Sequence, residues 1–216
     1  MSNLCACPPG PSISTIPESD CPVSFGQIQR AAVCRLYAAD GTRNGFIMPT
    51  SDIKAKATWT AKMTAADDTK IALLPYIQAP TTEPGAPRTF GGGNDTLGGI
   101  PLVIGREATN FTGVFRQIPQ SVIEKIKELE CENLGIYLFD ENGFIAAIVE
   151  DESGPNTKYY PISIARSSFF CGDLAFGNFD GVDGNGVQWS FPPNWSDGLR
   201  KVKPNFNPLS ELRVTP

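Results

Sequence analysis

The sequence predicts a mainly β fold with one prominent α-helix: a β-sandwich or small barrel with a flanking helix, a long loop and extended terminal arms. Three observations predict it. The 216 residues include 21 Gly and 19 Pro, which favours many turns. Short apolar runs are separated by turn signals such as Asp40-Gly41, Asn44-Gly45 and Asn142-Gly143. One stretch alone, Pro119 to Cys131, has sustained helical periodicity. A chain of this length can bury a sizeable core.

Residues 1–22, rich in Pro, Ser and Cys, read as an N-terminal arm. The β domain is expected over 23–195, beginning with a strand in 23–39 whose apolar alternation is loose. Residues 51–74 predict a short helix, with an N-cap at Ser51 or Asp52 and Ile53, Ala57 and Thr60 on one face. A strand follows at Ile71–Ile77. Residues 79–99 carry so many Pro and Gly residues that a long loop is expected in place of a continuous strand or helix. Loops of that length in a domain are usually functional or disordered.

Strands are expected at 100–107 and 110–117, the second alternating Phe111, Gly113 and Phe115 against polar neighbours. In the helix, 119–131, Pro119 suits the first turn. Val122, Ile123, Ile126 and Leu129 form its apolar stripe, and Gly135 follows as a stop. Glu124, Lys125, Lys127, Glu128 and Glu130 form the polar face, expected at a subunit seam or the outside of an assembly. A hairpin over 134–150, strands at 158–165 and 168–174, and a last strand at 187–191 complete the domain. Residues 196–216 read as a C-terminal arm.

The function classes narrow by chemistry. Histidine is absent, so Ser-His-Asp and Cys-His catalysis and all His-containing metal sites are excluded. Net charge is -5, which disfavours a nonspecific nucleic-acid clamp; an acidic surface lets DNA slide past without sticking. The six cysteines form no CxxC pair, and Cys5, Cys7 and Cys21 read as reduced structural thiols, metal binding by them being the weaker reading. The N-terminus lacks the pattern of a signal peptide, and no apolar run is long enough to span a membrane.

The cluster Gly91-Gly92-Gly93-Asn94 lacks the ending of a phosphate-binding loop and reads as an interface loop. Asp180, Asp183 and Asn185 miss the calcium-loop spacing and read as turn residues. No pattern pairs two carboxylates for glycoside hydrolysis. Trp59, Trp189 and Trp195 read as core or interface rings before a sugar platform. No catalytic residue, metal or cofactor is therefore expected. Apolar residues in the arms (Leu4, Ile13, Ile16, Phe206, Leu209, Leu212, Val214) suggest ordering on a neighbour. The candidate subunit interface comprises Arg88, Phe90, Gly91, Gly92, Gly93, Glu124, Lys127, Glu128, Phe206, Leu209 and Leu212.

The order of strands, single helix, hairpin and further strands resembles the tail tube protein fold of tailed bacteriophages, which also occurs in contractile injection machines. The likeness rests on GGIPLVIGREATNFTGVFRQIPQSVIEKIKELECENLGIYLFDENGFIAAI (98–148) and VQWSFPPNW (187–195), about half of the chain. With FGGGNDTLGG (90–99), the sequence also looks like virion proteins of phages infecting gut Bacteroidetes. The resemblance implies no enzyme activity. It implies a subunit made in the host cytoplasm that joins sheets into hexameric rings, with rings stacking into a virion tail tube that passes DNA without specific binding. Implied partners are the subunit itself, a tape measure protein and a terminator. The long loop and the arms are the matching candidates for ring-to-ring contact. Longer arms and the N-terminal cysteines depart from the simplest tube proteins, so capsid decoration, tail hub and tail completion are alternatives. A carbohydrate- or cell-surface-binding sandwich is a further one.

Overall fold

The structure is a computed structural model and describes residues 16, 24–152, 156–179 and 181–213. Leu4, Ile13, Val214, Asp180 and the cysteines 5, 7 and 21 lie outside these residues. The chain divides into two units: Phe25–Gly85 with Glu107–Pro216, and Met1–Ser24 with Ala86–Arg106.

The larger unit begins with β1 (Ile28–Arg35), β2 (Phe46–Ile47), α1 (Lys56–Thr64), β3 (Ile71–Leu73) and β4 (Gln78–Glu83). The smaller unit contributes β5 (Pro87–Phe90) and β6 (Leu102–Arg106). The larger unit resumes with β7 (Thr109–Arg116), α2 (Gln120–Lys127), β8 (Leu134–Asp140), β9 (Ile145–Glu150) and β10 (Lys158–Tyr160). It ends with β11 (Ile162–Ser163), β12 (Phe170–Ala175), β13 (Gly184–Phe191), β14 (Leu199–Val202) and α3 (Pro208–Glu211). The fold is mainly β with flanking helices, as the sequence predicts.

An eight-stranded antiparallel sheet runs β2-β10-β9-β8-β1-β3, with β11 on β8 and β14 on β9. A four-stranded sheet runs β12-β13-β7-β4. Strand β8 is buried along its whole length, which explains why its sequence, LGIYLFD, is a continuous apolar run. Leu134, Ile136 and Leu138 face the four-stranded sheet, where they meet Phe111, Phe115, Val187 and Trp189. Tyr137 and Phe139 face the other way and pack with Phe46, Ile53, Trp59 and Met63. The larger unit therefore has three layers, and its large sheet is covered on both faces. Both faces of β1 are also buried, Ala31 and Val33 on one side and Ala32 and Cys34 on the other. Its alternation is loose for that reason.

Helix α1 is real, but its buried face is Trp59 and Met63; Ala57 and Thr60 do not form it. No side chain caps it. Asp52 instead accepts from the Lys54 N–H at 2.8 Å, and Ile53 is buried before the helix starts. The Trp59 indole anchors the layer by donating to the Ile53 carbonyl at 2.7 Å. In α2 the stripe is Ile123 and Ile126, with Leu129 packed against the core beyond the helix end; Val122 is 40% exposed. Gly135 is not the helix stop. It lies in β8 opposite Cys34, where a Cβ would come within 2.6 Å of the Pro161 ring.

Two expectations fail more broadly. The segment 79–99 is not one long loop: it includes most of β4 and all of β5. Pro80 is tolerated because it sits at a register irregularity on an edge strand, and Pro87 opens its strand. Residues 196–216 are not a free arm either. Strand β14 pairs with β9, Leu212 is 1% exposed, and Phe206 and Leu209 pack on the second core. Arg30 holds this segment by donating to the carbonyls of Leu74, Leu209 and Leu212 at 2.9, 3.3 and 3.1 Å. The Tyr76 hydroxyl donates to the Leu209 carbonyl, and Arg30 lies over the Tyr76 ring at 4.9 Å. Desolvation by burial lowers the Arg30 pKa from its ordinary value. Arg30→Met is expected to cost about 1–3 kcal/mol and to speed amide hydrogen exchange over residues 199–213 before the rest of the unit; uniform protection would contradict the latch.

Candidate assembly interface

The smaller unit's described part, 86–106, is a two-stranded antiparallel hairpin. Phe90 pairs with Leu102 and Thr89 with Val103; Ile104 is the extra residue at a bulge. Paired residues share a face, so Phe90 and Leu102 lie on one side and Thr89 and Val103 on the other. The tip turns on Gly91, Gly92 and Gly93, with φ of 75°, 118° and 60°, values that favour glycine. The Gly92 N–H donates to Thr96 Oγ1 at 3.1 Å, and that hydroxyl donates to the Ile100 carbonyl at 2.8 Å. The glycines thus close a turn.

Phe90, Leu97, Ile100, Leu102, Val103 and Ile104 are all exposed, and Leu97 is fully so. They put apolar side chains on both faces of the ribbon, Phe90 and Leu102 on one side and Val103 on the other, and on its tip at Leu97 and Ile100. An isolated hairpin is marginal by itself. These residues therefore require a partner surface more than any other described segment does.

The other sequence candidates belong to the larger unit. Phe206, Leu209 and Leu212 serve the chain's own core. Lys127 pairs with Asp173 of β12, and Lys125 pairs with Glu128 at 2.6 Å. Glu130, expected on the outside, accepts the Cys171 N–H of β12 at 3.0 Å. The end of α2 thereby covers part of the outer edge of β12, a common protection of exposed sheet edges. Lys127 and Glu130 are thus fold residues. The hydrogen bond to Asp173 raises the Lys127 pKa, yet the pair is exposed and screened by solvent, so Lys127→Glu is expected to leave the thermal midpoint nearly unchanged. A larger change in the thermal midpoint would contradict that reading.

Sequence reading missed an apolar cleft of ≈ 290 Å³ in the larger unit. It opens between the two sheets and is lined chiefly by Phe25, Ile28, Phe111, Phe191, Trp195 and Leu199. Trp195 stacks on Phe191 at 4.4 Å between centroids. Trp59 and Trp189 are buried, at 0% and 1% exposure, and have no face for a glycan. A second cleft of ≈ 380 Å³ is rimmed by Arg35, Glu132, Asp67 and Asp68. Four of its five charges have near partners, Arg35 on Glu132 at 2.6 Å, Asp67 on Thr69, and Asp68 on the Ala39 N–H; Lys70 also lines it.

The proposed turn acids are also occupied. Asp183 accepts the Gly177 N–H at 2.7 Å, and buried Asn185 donates to the Gly172 carbonyl at 3.1 Å. Of the described thiols, Cys34 and Cys171 are buried and Cys131 is exposed. Burial pushes the Cys34 thiol up to about 12. In native protein at mildly alkaline pH, peptide mapping after iodoacetamide is expected to find Cys131 modified and Cys34 intact; rapid Cys34 labelling would contradict this.

No described helix is long and apolar enough to cross a membrane. No protein-family model and no curated protein matches the chain.

Proposed function

We propose that this chain is a self-assembling virion structural protein, a tail tube subunit of a tailed bacteriophage. The observation that carries the reading is the hairpin 86–106, with six large apolar side chains exposed. A surface of that kind is stable in water when another protein covers it. In this reading the hairpin joins one ring to the next. Rings form by lateral contact of the larger units, for which the four-stranded sheet offers β4 as an edge over Thr81–Glu83. The outer face of the same sheet is mixed, with Thr112, Gln188 and Ser190 beside Val114, Arg116 and the exposed Phe170. The mechanism is polymerisation without catalysis, with the subunit itself as chief partner and other tail proteins at the tube ends. Negative-stain microscopy of concentrated purified protein tests the reading: rings or tubes are expected, and a field of single subunits would count against it.

A further inference from the structure

We propose that the apolar cleft between the two sheets of one copy is the receptor for the hairpin tip of another copy, joined head to tail. This deepens the tail tube reading and rests on it. The cleft is a gap in the sandwich core, about as large as two or three side chains. Protein interiors are otherwise filled to crystal-like density, and apolar walls left without contact forfeit stabilisation. The cleft is therefore a place where an apolar occupant gains more than on a flat surface.

The hairpin tip supplies that occupant. Leu97 and Ile100 are exposed at its end, flanked by Phe90 and Leu102. It is the convex counterpart of the cleft. Charge agrees as well. Residues 86–106 hold Arg88 and Arg106 against Asp95, a net +1 in a chain of net -5. Two acids flank the cleft mouth, Glu83 after the lining residue Thr82 and Glu141 against the lining residue Gly26, beside one cation, Lys201, which lies 5.6 Å from the centre of the lining Phe25 ring and pairs with Asp140. A convex patch and a distinct concave patch on one chain make a heterologous contact, which propagates instead of closing as a dimer.

The test uses two full-length variants. Gln27→Trp blocks the cleft from its exposed rim and leaves the hairpin and the β4 edge intact. Leu97→Asp/Ile100→Asp disables the hairpin and leaves the cleft intact. Each alone is expected to sediment as a single ring or smaller, below the wild type. Mixed, the two are expected to sediment as a species larger than a single ring, because one supplies the hairpin and the other the cleft. A mixture that sediments no faster than its parts, while the wild type still assembles, would overturn the cleft assignment and leave the tail tube reading standing. A wild type that stays monomeric overturns both readings.

Discussion

Replacing Leu97 and Ile100 together by aspartate is expected to stop assembly at single rings or smaller species, with the larger unit still folded. Both side chains are exposed, so their loss removes nothing from either core of the larger unit. Placing charge at the centre of a desolvated contact is costly: central hot-spot residues carry about 2 kcal/mol or more each. Two of them correspond to a loss of association of at least roughly a hundredfold. Sedimentation velocity measures the loss, and near-ultraviolet circular dichroism checks the fold. Wild-type association by the double variant would remove the hairpin from the interface. An altered dichroism spectrum would mean that the hairpin supports the larger unit's packing.

The largest expected effect on stability lies at Asp140. This residue ends β8 and is 1% exposed. One carboxylate oxygen accepts from the N–H groups of Asn142 and Phe144 at 3.1 and 2.8 Å, which closes the β8–β9 turn. The other accepts the Gly26 N–H at 3.2 Å and pairs with Lys201 of β14 at 3.1 Å. The Lys201 ammonium also lies 4.1 Å from the centre of the Phe144 ring. One carboxylate therefore ties the start of the larger unit, the hairpin turn and the C-terminal strand together. Asp140→Ala removes the acceptor of three N–H donors and the ion-pair partner of a largely buried ammonium. Breaking a buried pair by removing one partner costs about 3–5 kcal/mol, a large share of the stability of an ordinary domain. Chemical denaturation measures it. A loss below about 1 kcal/mol would mean that the pair behaves as a surface contact.

The sequence made the centre of the fold legible where one face of an element is buried and the other wet. In β7, Phe111, Gly113 and Phe115 alternate with polar residues, and they are the buried positions. The β8–β9 hairpin was signalled by Asn142-Gly143, and the structure places a turn there, locked by Asp140. Patterns failed where both faces are covered, as in β1, or where tertiary contact supplies what local sequence lacks. Helix α1 has no cap and little amphipathic order, and it is held by Trp59 against Tyr137 and Phe139. The C-terminal segment looked like an arm because its prolines interrupt any period, yet Arg30, 179 residues from Leu209 in sequence, fixes it. No local pattern reports a contact of that range.

The candidate interface divides in the same way. Arg88, Phe90 and the three glycines do fall together on the hairpin, since turn chemistry and exposed aromatics are local signals. Lys127, Phe206, Leu209 and Leu212 were assigned to neighbours because their intrachain partners are remote. The cleft was invisible to sequence for the same reason: its walls come from both sheets and join residues as distant as Phe25 and Leu199.

Sedimentation of the wild-type protein over a wide concentration range tests the central claim most directly. The account predicts mass-dependent association into species larger than a single ring, lost in the Leu97→Asp/Ile100→Asp variant. A single monomeric species at every concentration, identical in wild type and variant, would contradict it.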